Sequence, residues 1–212
     1  MTSPANASRT PAFTLVELLA VIAIIAIMTA LVVGVSPNVL QSQESVQCAG
    51  NLRQISMLLQ SYAMDNDGCL VAPLNGSSWW SVLGKRENPK YDTRNLADNK
   101  IFLCPAAKHT YPNGNALRTY GMNAESHGLT ESVRLVSNSH PARTLFVIDQ
   151  QSNVSDPLDT YVHFRATASP LFSQYVDRRH QGKFNGLFLD GHVESLLPDD
   201  PGIPQMIRNF GK

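Results

Sequence analysis

Net charge is what this chain most conspicuously lacks. Seventeen Lys and Arg face seventeen Asp and Glu, so the formal net charge is zero and the pI is about 7.0. Without clustered Lys and Arg there is no electrostatic footprint for a nucleic acid, and none is expected as a partner. Cysteine is equally scarce. The three thiols, Cys48, Cys69 and Cys104, are too few for a disulfide-scaffolded fold and lack the close pairing of a zinc motif. No H-E-x-x-H, G-x-S-x-G or phosphate-binding loop occurs, so the chain is not expected to be an enzyme. There is no internal repeat.

Apolar residues make up 43% of the chain, but they are unevenly spread. Residues 1–12 are polar, carry Arg9 and contain no acid. Phe13 to Val35 then form an apolar run whose single charge is Glu17. As a helix this run is about 35 Å long, against about 30 Å for a bilayer core. Arg9 before the span favours a cytoplasmic N-terminus and an extracytoplasmic remainder. A cleaved secretory signal has an apolar core of about 7–15 residues, shorter than this one, and Pro37 disfavours a cut after the run. A plain signal anchor leaves Glu17 unexplained, because a carboxylate at mid-bilayer costs about 2.5–3.5 kcal/mol unless it lies shallow enough to snorkel.

The string Ala12-Phe13-Thr14-Leu15-Val16-Glu17-Leu18-Leu19 resembles the processing site of type IV prepilins and type II secretion pseudopilins. The family usually has Gly where this chain has Ala12. The resemblance implies that a prepilin peptidase cuts before Phe13, that Phe13 is N-methylated, and that Glu17 is the assembly residue. A new ammonium at Phe13 would then neutralise the Glu17 carboxylate of a neighbouring subunit, each offsetting part of the other's desolvation. It further implies self-association through the N-terminal helix, an inner-membrane assembly platform as partner, and a single-pass inner-membrane location with the globular part outside. The expected segments are a leader at 1–12, a transmembrane and assembly helix at 13–35, an amphipathic continuation at 36–68 and a β-rich domain at 69–212.

Pro37 predicts a kink in a continuous helix, or else a break with a second helix starting near Asn38. Beyond it, Val46, Ala49, Leu52, Ile55, Leu59 and Tyr62 recur at three and four, which is one helical face. Asp65-Asn66-Asp67-Gly68 ends the helix. After that the pattern reads as short strands and loops, with strand candidates at Ile101 to Leu103, Arg118 to Asn123, Thr144 to Ile148 and Tyr161 to Arg165. A hairpin runs from Phe184 to Leu189, turns at Asp190-Gly191 and returns from His192 to Leu197. Gln205 to Phe210 is expected as a short helix.

His180, nine residues, then Asp190-Gly191 is similar to the H-x9-DG group of prepilin-type proteins, as are Asn51-Leu52-Arg53-Gln54-Ile55, Cys104-Pro105 and Tyr120-Gly121-Met122-Asn123. This resemblance implies an α+β, pilin-like fold in which a long N-terminal helix packs on a small antiparallel sheet, followed by a loop-rich C-terminal region. His180, Asp190 and His192, with His163 on another candidate strand, suggest a metal or acid-base site. The alternative is that His180 bonds a loop group and Asp190 shapes the turn. No cofactor is expected, calcium being the one exception, at the incomplete loop Asp65–Gly68 or at Asp199 and Asp200. The competing function is a membrane-tethered binding module using Trp79 and Trp80 as a carbohydrate platform. The cysteines allow a Cys48–Cys104 bridge, a Cys69–Cys104 bridge, or three buried thiols.

Overall fold

The computed structural model describes residues 13–73, 77–92, 95, 98, 100–107, 119–125, 130–150, 163–166, 172 and 176–212. The chain divides into two compact units, Met1–Leu40 and Gln41–Lys212. Helix α1, Leu15–Met64, enters both and is assigned without a break through Ser36 and Pro37.

In the first unit every described side chain from Phe13 to Leu31 is exposed. The one polar group in that stretch beyond the first turn, the Thr29 hydroxyl, donates to the carbonyls of Ile25 and Ala26, the usual way a helix absorbs an isolated threonine. Among the described residues no helix is long and apolar enough to cross a membrane. The described side chains of the apolar run end at Leu31, and a helix from Leu15 to there is about 26 Å long, short of about 30 Å of hydrocarbon. The last four residues of the expected span, Val32 to Val35, lie outside the described side chains.

In the second unit α1 packs through Cys48, Leu52, Ile55, Leu59 and Ala63, all buried. The spacing of four, three, four and four is a single stripe. The expected face is correct at Leu52, Ile55 and Leu59 but is offset at its ends. Val46 is 70% exposed, and Cys48 and Ala63 take the places assigned to Ala49 and Tyr62. Helix α2, Trp79–Glu87, was not anticipated in a region read as strands and loops. Trp79, Trp80 and Leu83 share its buried side, and Lys85 and Arg86 fall in its last turn, where cations suit the helix dipole.

The sheet has the order β3-β1-β2-β4-β5, built from β1 (Tyr120–Asn123), β2 (Leu145–Asp149), β3 (His163–Phe164), β4 (Phe184–Phe188) and β5 (Val193–Leu196). Four strands are antiparallel neighbours, and the edge strand β3 runs parallel to β1. β2 carries a bulge between Leu145 and Val147. One extra residue there lets Phe146 and Val147 both join the core that contains α1 and α2, while Leu145 and Ile148 join a second core with Phe164, Phe184, Ile203 and Ile207. Helix α3, Ile203–Arg208, supplies the last two. The architecture is therefore α+β, as expected. Ile101 to Leu103, expected as a strand, is instead a 3-10 turn at Lys100–Phe102. Asn51 of α1 donates to the carbonyls of Lys100 and Leu103, and these tertiary bonds replace a ladder.

Candidate functional site

Among the described residues, two places carry chemistry. The first is the start of α1. Thr14 and Glu17 form a reciprocal cap: the Glu17 carboxylate accepts from the Thr14 backbone N–H at 2.9 Å and its hydroxyl at 2.8 Å, while the Glu17 N–H donates to the Thr14 hydroxyl oxygen at 3.3 Å. This is a capping box of the T-x-x-E form, and its signal is local to Thr14-Leu15-Val16-Glu17. Within one chain, then, Glu17 already has a local partner. Phe13 is 82% exposed, and Ala12 lies outside the described residues.

The second place is a buried cluster in the second unit. Cys48 and Cys104 form a disulfide with Cα atoms 4.9 Å apart, joining α1 to the segment after the 3-10 turn. Cys69 is free and partly exposed. The Cys104 N–H donates to the Thr119 hydroxyl at 2.6 Å. Against the bridge lies His180, whose Nε2 is 3.4 Å from the Cys104 sulfur and donates at 2.9 Å to Asp149 Oδ2. The same carboxylate oxygen accepts from the Asn185 N–H at 2.8 Å. Tyr120, opposite Asp149 in the β1–β2 register, is buried; burial pushes its phenol well above the ordinary range, and the Asp149 charge adds to the rise. Asp149 Oδ1 and His180 Nδ1 are buried without a hydrogen-bond partner among the described residues. Asp149 had no sequence signal beyond ending an apolar strand.

The H-x9-DG spacing acquires a geometric meaning here. His180 and Lys183 exchange backbone bonds around Gln181 and Gly182, whose φ values are +55° and +82°. Positive φ at both central positions defines a type I′ hairpin turn. β4 follows, and its far end is a three-residue loop, Leu189-Asp190-Gly191, closed by the His192 carbonyl accepting from the Phe188 N–H. The nine intervening residues are thus one turn, one strand and the start of the next turn. His180 meets the disulfide that α1 carries. Gly191, at φ +96°, sits where a Cβ would come within 3.0 Å of the Ser56 hydroxyl and 3.2 Å of the Gln60 amide, both on α1. Both ends of the motif therefore bear on the helix. Gly191→Ala is expected to cost about 1–2 kcal/mol through its left-handed backbone and this close approach, read as a lower denaturation midpoint. A midpoint equal to the parent's would mean that the turn does not bear on α1.

The expected His180–Asp190–His192 grouping is not what the fold assembles. Asp190 pairs with His192 at 2.6 Å in the exposed turn, where His192 stacks on Phe188, whereas His180 turns inward to Asp149. His163 has no described side chain. Three of the acids considered for calcium have other partners: Asp65 pairs with Arg86 and Asp199 with Arg178, and Asp200 accepts from the Gly202 N–H. Trp79 and Trp80 are corrected as well. Both are buried, Trp79 edge-on to Phe102 and Trp80 tilted on Tyr91, so neither offers a stacking face to a sugar. Their apolar rings are the natural filling between α2 and the 3-10 turn.

Compared with known families, residues 8–33 match the prokaryotic N-terminal methylation motif. The match spans the Ala12–Phe13 junction and Glu17, is consistent with a prepilin-type protein, and ends well before His180. No curated protein and no solved structure matches the chain.

Proposed function

We propose that the chain is a structural subunit, pseudopilin-like or minor-pilin-like, of a type IV pilus or a type II secretion-like filament. Prepilin peptidase removes residues 1–12, Phe13 is N-methylated, and the apolar run through Val35 anchors the subunit in the inner membrane with the globular part outside. Subunits then associate through that helix on an inner-membrane platform, and the role is structural rather than catalytic. The methylation-motif match at residues 8–33 carries this reading. It is supported by a helix whose described apolar side chains from Leu15 to Leu31 are all exposed, since such a surface requires lipid or another helix to cover it. The buried Trp79 and Trp80 count against the tethered carbohydrate-binding alternative.

The test is N-terminal mass spectrometry of protein extracted from membranes of cells with an active prepilin peptidase. The expected species begins at N-methylated Phe13. Recovery of chains that still carry residues 1–12 as the sole form would overturn the reading.

A further inference from the structure

We infer that Cys48, Cys104, Asp149 and His180 constitute a four-ligand site for a thiophilic divalent cation of the zinc class, available once the Cys48–Cys104 bond is reduced. This is independent of filament assembly. The four residues are buried, and their donor atoms all lie within 4.8 Å of one another. Two thiolates, one imidazole and one carboxylate form a donor set suited to zinc, which takes sulfur at about 2.3 Å and nitrogen or oxygen at about 2.0–2.2 Å in a tetrahedron. Those bond lengths imply S···N edges of about 3.6 Å and N···O edges of about 3.4 Å. The corresponding contacts here are 3.4 Å from Cys104 Sγ to His180 Nε2 and 2.9 Å from that nitrogen to Asp149 Oδ2. The Cys104 sulfur and the His180 nitrogen therefore already stand near tetrahedral spacing, and the Asp149 oxygen must open from that nitrogen by about 0.5 Å. The two sulfurs must move apart to about 3.8 Å, which rotation about Cα–Cβ supplies once the bond is gone.

The surroundings are those of a closed structural site rather than a surface cluster. The Asn185 N–H fixes the Asp149 carboxylate, the Thr119 hydroxyl fixes the Cys104 backbone, and the type I′ turn fixes His180, the kind of outer support that orients ligands. The orphaned Asp149 Oδ1 is a buried lone-pair donor with nothing to receive it among the described residues, and such groups call for an explanation. A groove of about 260 Å³ between Gln41, Ser42 and Ser45 of α1 and the Gln181–Lys183 turn has His180 in its wall. A dithiol donates two electrons and two protons to the disulfide and closes to its own disulfide; each Cys thiol then releases its proton on binding the cation, and the His180 Nε2 proton passes to Nδ1 so that Nε2 is free to ligate. Oxidised and metal-bound forms are mutually exclusive, because both sulfurs serve in each.

The full chain in detergent, reduced with a dithiol and desalted without oxygen, is titrated with Co²⁺ as a spectroscopic probe. The expected result is one Co²⁺ per chain, with a thiolate-to-cobalt charge-transfer band and tetrahedral d–d bands, displaced by Zn²⁺ and absent from the oxidised chain. His180→Gln and Asp149→Asn should each weaken Co²⁺ binding at least tenfold, Cys48→Ser should remove most of the charge-transfer intensity, and Cys69→Ser should change nothing. Far-UV circular dichroism is followed in parallel. If reduction unfolds the domain, recovery of both the fold and the charge-transfer band on adding Co²⁺ supports the site. Absence of the band, its loss in Cys69→Ser, or unchanged affinity in both His180→Gln and Asp149→Asn overturns it.

Discussion

Glu17→Gln is expected to be processed at Phe13 and yet to fail in filament assembly. Glutamine keeps the cap, since its side-chain carbonyl can accept from the Thr14 N–H as the carboxylate does, and a capping box works with either residue. What it loses is the negative charge. If the charge serves to neutralise the Phe13 ammonium of a neighbour inside an apolar bundle, its removal leaves that ammonium buried and unpaired, a loss of about 3–5 kcal/mol per subunit contact. Multiplied along a polymer, this takes the yield of sheared filaments below detection. Glu17→Ala removes cap and charge together, adding about 1 kcal/mol of helix destabilisation. The comparison separates the roles. Filament yield at the parental level in Glu17→Gln, with a loss only in Glu17→Ala, would show that Glu17 acts as a cap alone.

His180→Ala should be the most damaging single change in the second unit. The imidazole is the side-chain partner of a carboxylate that is fully buried. Deleting it leaves the Asp149 charge with the Asn185 N–H as its one remaining described bond, and breaking a buried pair in this way costs about 3–5 kcal/mol. Urea unfolding followed by the emission of Trp79 and Trp80 should show a midpoint lower by about 2 M, taking a slope of about 2 kcal/mol per M. The exposed Asp190–His192 pair sets the scale for contrast, since surface pairs contribute about 0–1 kcal/mol. A His180→Ala midpoint within 0.5 M of the parent would mean that water or a rearranged side chain replaces the imidazole at little cost.

These two sites differ in how far they could be read from sequence. The N-terminal one was legible because its signals are local: an apolar run, one acid in it, and a particular order of neighbours. Even so, Thr14 went unread, although the T-x-x-E spacing was in plain view. The hairpin from Phe184 to Leu196 was also legible, since alternating apolar residues around Asp190-Gly191 encode it locally. The buried cluster was not. Cys48, Cys104, Asp149 and His180 are spread across the chain with none of the close spacing that marks a zinc motif, and only the packing of α1 against the sheet brings them together. Helix α2 was missed because nine residues containing Gly84 give a weak period. The 3-10 turn was misread because Asn51, 52 residues from Leu103 in sequence, decides its conformation.

The Cys48–Cys104 bridge has a mechanical consequence. It closes a covalent loop with a sequence separation of 56 between its ends. A pull applied to the two ends of the second unit cannot draw that loop out while the bond is intact, however completely the sheet is torn apart. In single-molecule extension the oxidised chain should therefore stop short, and reduction should release about 200 Å of additional contour at about 3.6 Å per residue. The stripe from Leu52 to Ala63, which lies on the α1 side of that loop, is likewise shielded from the applied force. For a chain pulled from both ends of this unit, the disulfide thus acts as a stop on extension.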